Sequence, residues 1–391
     1  MSSPFALSKI LSVITPPPVV VDPDYDGLEF RWKMFTFRPA LFQTELYYVA
    51  AVLLYVAWYF IGKRSNAKRA NTWFDTHSPL YEEQFSRPGV LTPALCLADG
   101  HSDYFAFSTG RRAAASLHTT LALRPRHDFA QYAYQVVRGM IELDLSYVDE
   151  LELDITFQDS ANVPDCIWAI VSKSEMKDIR ERRWDLSFTR TTESSNLPPA
   201  VSVMSEFADI TDNLLKQHGP LSLPSLLSEP GVLSYFRSLS LTDQPRTRPS
   251  VPVPADKRKK HLILSLAVPP ASDARATLPL VTAFFQLADV IAGAGGWGIG
   301  KGPGQKGAGL AQSLRPETKI KVKAIREKVE KQIKEDAGRE EREEAEAEKA
   351  AARKKAEEER LSKLSAAEQK KQLERDRKRT LRKTQGKMKA R

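Results

Sequence analysis

Residues 46–62 read LYYVAAVLLYVAWYFIG, with no charge, no proline and a single glycine at the end. At about 1.5 Å of rise per residue, the stretch makes a helical rod of roughly 25 Å, enough to cross a thin bilayer. Tyr47, Tyr48, Trp58 and Tyr59 fall near its ends, where amphipathic rings favour the headgroup layer. Lys63, Arg64, Lys68 and Arg69 follow at once. An apolar run closed by such a cluster of cations reads as a transmembrane helix rather than as a buried core helix.

Charge sets the orientation. Arg31, Lys33 and Arg38 precede the span, and four cations follow it closely. Acidic residues count little in this balance, so the bias is slight. A folded domain and a long basic segment after the span favour a cytosolic C-terminus. The segment before the span has no basic n-region and no small-residue cleavage site, so it is not read as a cleaved signal. The net charge of the 391 residues is +9. Residues 315–391 alone carry 27 Lys and Arg against 17 Asp and Glu, so the basicity belongs to the tail. An acidic partner is expected there.

The chain therefore divides into a short N-terminal segment (1–43), the span (44–63), a globular domain (64–291), a Gly-rich linker (292–314) and a basic tail (315–391). Between residues 99 and 290, short β-like runs alternate with amphipathic helices. Strands are expected over 102–110, 116–123, 151–157, 184–189, 201–204, 238–241 and 261–268, with a short apolar run at 166–171. Helices are expected over 128–143, 175–183, 207–216 and 278–291, and in part of 70–87. In residues 151–157, Leu151, Leu153, Ile155 and Phe157 alternate with Glu152, Asp154 and Thr156, the pattern of a half-buried strand. The fold class is an α+β cytosolic domain with one N-terminal transmembrane helix and a long C-terminal basic helix or coiled coil. In the tail, Val322, Ile325, Val329 and Ile333 form an initial stripe, after which apolar heptads lapse. A long solvated helix or helical hairpin, supported by i,i+4 pairs such as Glu327–Lys331, Glu330–Lys334 and Glu335–Arg339, is favoured over a stable coiled coil.

Motifs of chemistry are absent or broken. The six histidines show no metal-ligand spacing, and there is no nucleophile elbow. Cys96 and Cys166 have no CxxC spacing and read as buried small side chains, reduced in the cytosol. Asp22, Asp24, Asp26 and Gly27 resemble the start of an EF-hand loop, but Lys33 stands where the bidentate Glu belongs. Gly295, Gly300 and Lys301 resemble a P-loop, but Gly302 replaces the Ser or Thr that would bind magnesium. No metal site, cofactor or enzymatic activity is expected.

At the globular domain, DYFAFSTGRR (103–112), RWDLSFTRTTE (183–193), SVMSEFADITDNLL (202–215) and YFRSLSLTDQP (235–245) resemble the calumin family. That family is the coiled-coil subunit of the PAT complex of the endoplasmic reticulum. The ending LSAAEQKKQLERDRKRTLRKTQGKMK (364–389) is similar too. The resemblance implies a single-pass membrane protein of the endoplasmic reticulum with a lumenal N-terminus. It implies a chaperone role for nascent multispanning membrane proteins, with a PAT-complex partner subunit, beside the Sec translocon. It also implies ribosome contact through the tail. A role in calcium homeostasis is the alternative, but the short N-terminal segment has few acidic residues where animal members carry a long acidic stretch. Independently of the resemblance, a Lys/Arg-rich helix suits ribosomal RNA through phosphate contacts. The candidate ribosome-binding residues are Lys370, Lys371, Arg375, Arg377, Lys378, Arg379, Arg382 and Lys383. The absence of aromatic residues after Trp297 excludes aromatic base stacking by the tail.

Overall fold

The computed structural model describes residues 27–32, 35–39, 43–89, 95–142, 147–218, 220–254, 257–294 and 309–362. The strands are β1 (Phe30–Trp32), β2 (Phe35–Phe37), β3 (Leu97–Asp99), β4 (Asp103–Ser108), β5 (Ala114–Ala122), β6 (Glu150–Phe157), β7 (Trp168–Ser172), β8 (Arg190–Thr192), β9 (Val201–Ser205), β10 (Phe236–Thr242) and β11 (His261–Ala267). The helices are α1 (Gln43–Gln84), α2 (Phe129–Ile141), α3 (Met176–Arg182), α4 (Ala208–Leu215), α5 (Leu223–Leu227), α6 (Pro230–Leu233), α7 (Leu278–Ala292), α8 (Leu310–Ser313) and α9 (Pro316–Ser362). The chain forms two compact units, residues 1–244 with 259–315, and residues 245–258 with 316–391.

The first unit is built on a nine-stranded antiparallel sheet ordered β3-β4-β5-β6-β11-β10-β7-β9-β8. Alternation along β6 does what its sequence implies. Leu151, Leu153, Ile155 and Phe157 are buried, while Glu150, Glu152 and Asp154 stand on the other face. There Asp154 meets His261 Nδ1 at 2.9 Å, and Glu150 meets Arg237 at 3.1 Å. On the apolar face, α7 and the second half of α1 join the main core. Tyr81 of α1 and Phe85 just after its end meet the Phe285 ring edge-on, at 5.7 and 5.5 Å, and the Tyr81 hydroxyl bonds Thr119 Oγ1 across to β5 at 2.7 Å. The β4–β5 turn carries Gly110 at φ +90°, a left-handed value that favours glycine. Next to it, Arg111 is nearly enclosed. It donates to Asp289 at 2.7 Å and to the Phe285 carbonyl at 2.9 Å, tying the turn to α7.

A smaller core lies beside β7 and β9, where Ile167, Ala169, Val171, Leu186 and Met204 pack with Met176, Ile179 and Phe188. This second layer explains a departure from the sequence reading. Residues 184–189 are not a strand; Asp185–Phe188 form a 3-10 turn. Asp185 is fully buried against Arg183, which donates at 2.9 and 2.6 Å. Ser187 Oγ and Thr189 Oγ1 donate to the carbonyls of Trp184 and Leu186 at 2.6 and 2.7 Å. These local bonds satisfy the backbone in place of a ladder and turn Leu186 inward.

In the second unit, α9 is continuous over 47 residues, roughly 70 Å. Val322, Val329 and Ile333 of the expected stripe are buried. Ion pairs of α9 run both along the helix and to the segment 245–258. Glu330 pairs with Arg258, Asp336 with Arg248, and Glu335 with Lys331 at 4.0 Å. The segment 245–258 thus recruits acidic side chains of α9, and Asp336 also pairs along the helix with Arg339 at 3.3 Å.

His77 lies in the buried half of α1, stacked on Trp73 at 4.0 Å. Its Nδ1–H donates to the Trp73 carbonyl at 2.8 Å, and its Nε2 faces Thr277 Oγ1 at 3.2 Å. Burial pushes its pKa down to about 4, against the opposing pull of the Trp73 carbonyl. In the unfolded chain this histidine takes up a proton near its ordinary pKa of 6.5. Between these values the unfolded state binds more protons, so stability falls as pH drops through that window. The melting temperature of the detergent-solubilised protein is expected to decline from pH 6.5 toward 4, with a shallower decline in His77→Asn. An unchanged slope in that variant would show that His77 is not buried as a neutral ring.

Candidate functional site

The first half of α1 and its junction with the domain form the candidate site. From Leu46 to Ile61, every side chain except Tyr59 is exposed. Twelve of them are large, among them Leu54 at 72% and Ile61 at 68%. At about 1.5–3 kcal/mol for each large apolar side chain, leaving this surface in water costs on the order of 20 kcal/mol. The stretch therefore requires an apolar environment. Helix α7 passes the same test of length and hydropathy, but it is a core helix with most of its side chains buried.

The helix does not end where the apolar stretch ends. It continues to Gln84, through Pro79, and its later residues Ala70, Trp73, Phe74 and Tyr81 belong to the domain core. Gly62 makes the passage possible, because the backbone of Arg126 and His127 crosses it directly. A Cβ there would stand 2.0 Å from the Arg126 carbonyl oxygen. In the sequence alone, Gly62 marks only the end of the apolar stretch.

One turn further on lies a polar lock. Asn66 is fully buried. Its Nδ2 donates to the carbonyls of His101 and Arg124, both at 3.0 Å, and its Oδ1 accepts from Arg126 at 3.1 Å. Arg126 in turn grips Asp149 with two bonds of 2.9 and 2.6 Å. Arg69 reaches the same carboxylate at 2.8 Å, and the Arg124 amide donates to it at 2.8 Å. Burial raises the Asp149 pKa, but Arg126, the Arg124 amide and Arg69 outweigh it and hold the carboxyl below its usual range. Below the lock, the Tyr59 hydroxyl and His101 Nε2 are 2.6 Å apart. Of the four cations read as a flank, Arg69 thus has a structural role, whereas Lys63, Arg64 and Lys68 are exposed.

The eight tail cations, Lys370, Lys371, Arg375, Arg377, Lys378, Arg379, Arg382 and Lys383, lie outside the described residues. So do the Asp22, Asp24 and Asp26 turn and the Gly295–Gly302 motif. Among the described residues, no group of three or more His, Cys, Asp or Glu is placed to hold a metal ion. Cys166 is buried, and burial together with Asp75 pushes the Cys96 thiol up to about 11, away from a reactive thiolate.

These features define a class: an α+β domain assembled on the extension of a transmembrane-capable helix. Comparison with known proteins gives the family. The chain matches the family described as PAT complex subunit CCDC47 over residues 41–383, and it belongs to that family. A relative from Schizosaccharomyces pombe, an endoplasmic reticulum membrane protein, is 28% identical over 371 residues, covering 89% of this chain and 87% of its own. The PAT complex subunit CCDC47 proteins of Xenopus laevis and Homo sapiens are 22% and 23% identical over 184 residues, covering 44% of this chain and 36% of theirs. Those alignments span about a third of the animal proteins.

Gly62→Ala is expected to destabilise the domain by about 1–3 kcal/mol, because a methyl group cannot enter the Arg126 backbone without moving it. Gly338→Ala, in α9 with nothing within 4 Å of the added Cβ, is expected to be neutral or stabilising by about 0.5–1 kcal/mol. Thermal unfolding of both variants checks this. Equal effects would mean that the Gly62 crossing is not tight.

Proposed function

We propose that this protein is a single-pass membrane protein of the endoplasmic reticulum. In this reading residues 1–43 are lumenal, residues 44–63 span the bilayer and residues 64–291 face the cytosol. The domain acts with a PAT-complex partner subunit and the Sec translocon in the insertion and folding of nascent multispanning membrane proteins. The observation that carries the reading is the exposed apolar half of α1 joined without a break to the domain core, in a chain of the PAT complex subunit family. A domain fixed on its own anchor is held at the membrane surface, where such clients emerge. The exposed Lys63, Arg64 and Lys68 support the cytosolic side. A C-terminal epitope should be lost when protease is added to intact microsomes, while an N-terminal glycosylation acceptor should be modified. The reverse pattern would invert the topology.

The tail is proposed to contact the ribosome through Lys370, Lys371, Arg375, Arg377, Lys378, Arg379, Arg382 and Lys383. Phosphate contacts release condensed counterions, so binding should weaken steeply with salt. Replacing Lys371, Arg375, Lys378, Arg379 and Arg382 with Glu should lower ribosome co-sedimentation by about tenfold or more at moderate salt, with membrane insertion intact. Equal, salt-independent sedimentation of both forms would assign ribosome contact elsewhere.

A further inference from the structure

Helix α2 is well formed, yet none of its residues is buried. Asp128 caps it, its carboxylate accepting from the amides of Ala130 and Gln131 at 3.0 and 3.1 Å. The side toward the domain carries Tyr132, Gln135, Val136 and Gly139, all partly buried. The opposite arc is apolar and exposed: Phe129 at 50%, Tyr134 at 61%, Val137 at 54%, Met140 at 73% and Ile141 at 75%. A soluble helix turns such a face toward a core. This one turns it outward.

Its position says what covers it. The Phe129 ring meets Trp58 edge-on with centroids 5.4 Å apart, and Tyr132 lies 6.3 Å from the same ring. Trp58 belongs to the apolar stretch, one helical turn before Gly62, or about 6 Å inside its end. The chain reaches α2 from Arg126 and His127, whose backbone crosses Gly62. The start of α2 is therefore level with the last turn of the span, and Phe129 there adjoins the span's own apolar surface. If residues 46–62 lie in a bilayer, the beginning of α2 cannot lie in bulk water. Cations border this level: Lys63 and Arg64 are exposed, and the Arg124 guanidinium lies 4.8 Å over the Tyr132 ring.

We propose that α2 is an interfacial helix whose apolar arc is embedded in the headgroup–acyl boundary of the same membrane that α1 enters. It forms a second, monotopic attachment beside the span and limits the freedom of the domain to rotate about α1. The ligand is the lipid surface itself. The inference rests on the reading of residues 46–62 as a span.

The test uses the full chain in phosphatidylcholine–phosphatidylserine vesicles carrying nitroxide-labelled lipids. With Cys96→Ala and the buried Cys166 left in place, fluorescent reporters are attached singly at Leu53→Cys, Met140→Cys, Gln131→Cys and Ser160→Cys. Quenching of the Leu53 reporter by deep nitroxides verifies the span. The Met140 reporter is expected to lose most of its fluorescence to shallow nitroxides, the Gln131 reporter to lose several-fold less and the Ser160 reporter to lose none. If Leu53 is quenched and Met140 behaves like Ser160, α2 is overturned as a lipid-embedded helix while the span stands, and its arc is then a surface for a protein. If Leu53 itself is unquenched, the span reading fails and the inference fails with it.

Discussion

The first half of α1 presents an apolar surface suited to hydrocarbon, and the second half supplies Ala70, Trp73, Phe74 and Tyr81 to a packed protein core. The interaction that makes these halves one body is the lock at their junction, where Asn66, Arg69 and Arg126 converge with Asp149 and the backbone of Arg124. Asp149 is satisfied there by two guanidinium groups and an amide. Removing one partner from such a cluster leaves uncompensated charge behind, which costs several times what the individual bonds contribute.

The lock also has a geometric consequence. Residues 124–127 lead into α2 and simultaneously grip α1, so the connection after β5 is fixed relative to the helix at Gly62. Trp73 Nε1 donates to Thr277 Oγ1 at 3.0 Å, fixing the opposite end of the same face next to α7. Between these two points, α1 is a structural strut of the domain rather than an appended anchor.

Much of this was legible in the sequence, and the misses have physical reasons. The apolar stretch was legible because it is uncharged from Leu46 to Gly62 and closed by cations, whereas the comparably apolar α7 is buried in the core. Strand β6 and helix α2 followed from strict periods of two and 3.6 residues. The continuation of α1 was only partly legible: Ala70–Gln84 mixes aromatic and charged residues, which is what a helix shared between core and surface must do. Gly62 and Asn66 gave no signal, since their roles depend on backbone that arrives some sixty residues later, from Arg124 and Arg126. The turn at Asp185–Phe188 was read as a strand because Trp184, Leu186 and Phe188 alternate, and alternation does not reveal that Arg183 and the hydroxyls of Ser187 and Thr189 bond locally. For α2 the period was right, but periodicity alone does not say whether an apolar arc faces a core or a membrane. The basic segment was legible as a unit of charge, while the pairing of Glu330 with Arg258 required a partner distant in sequence.

Helix α1 runs from its exposed apolar half into the domain core without a hinge. Hydrogen–deuterium exchange on the full chain in lipid nanodiscs tests this most directly, read at the amides of residues 62–70. A continuous, locked helix predicts that these amides are as slow to exchange as those of Trp73 and Phe74 in the core. Exchange there at the rate of an open linker, with protection on both sides, would contradict the account and make the span a flexible tether.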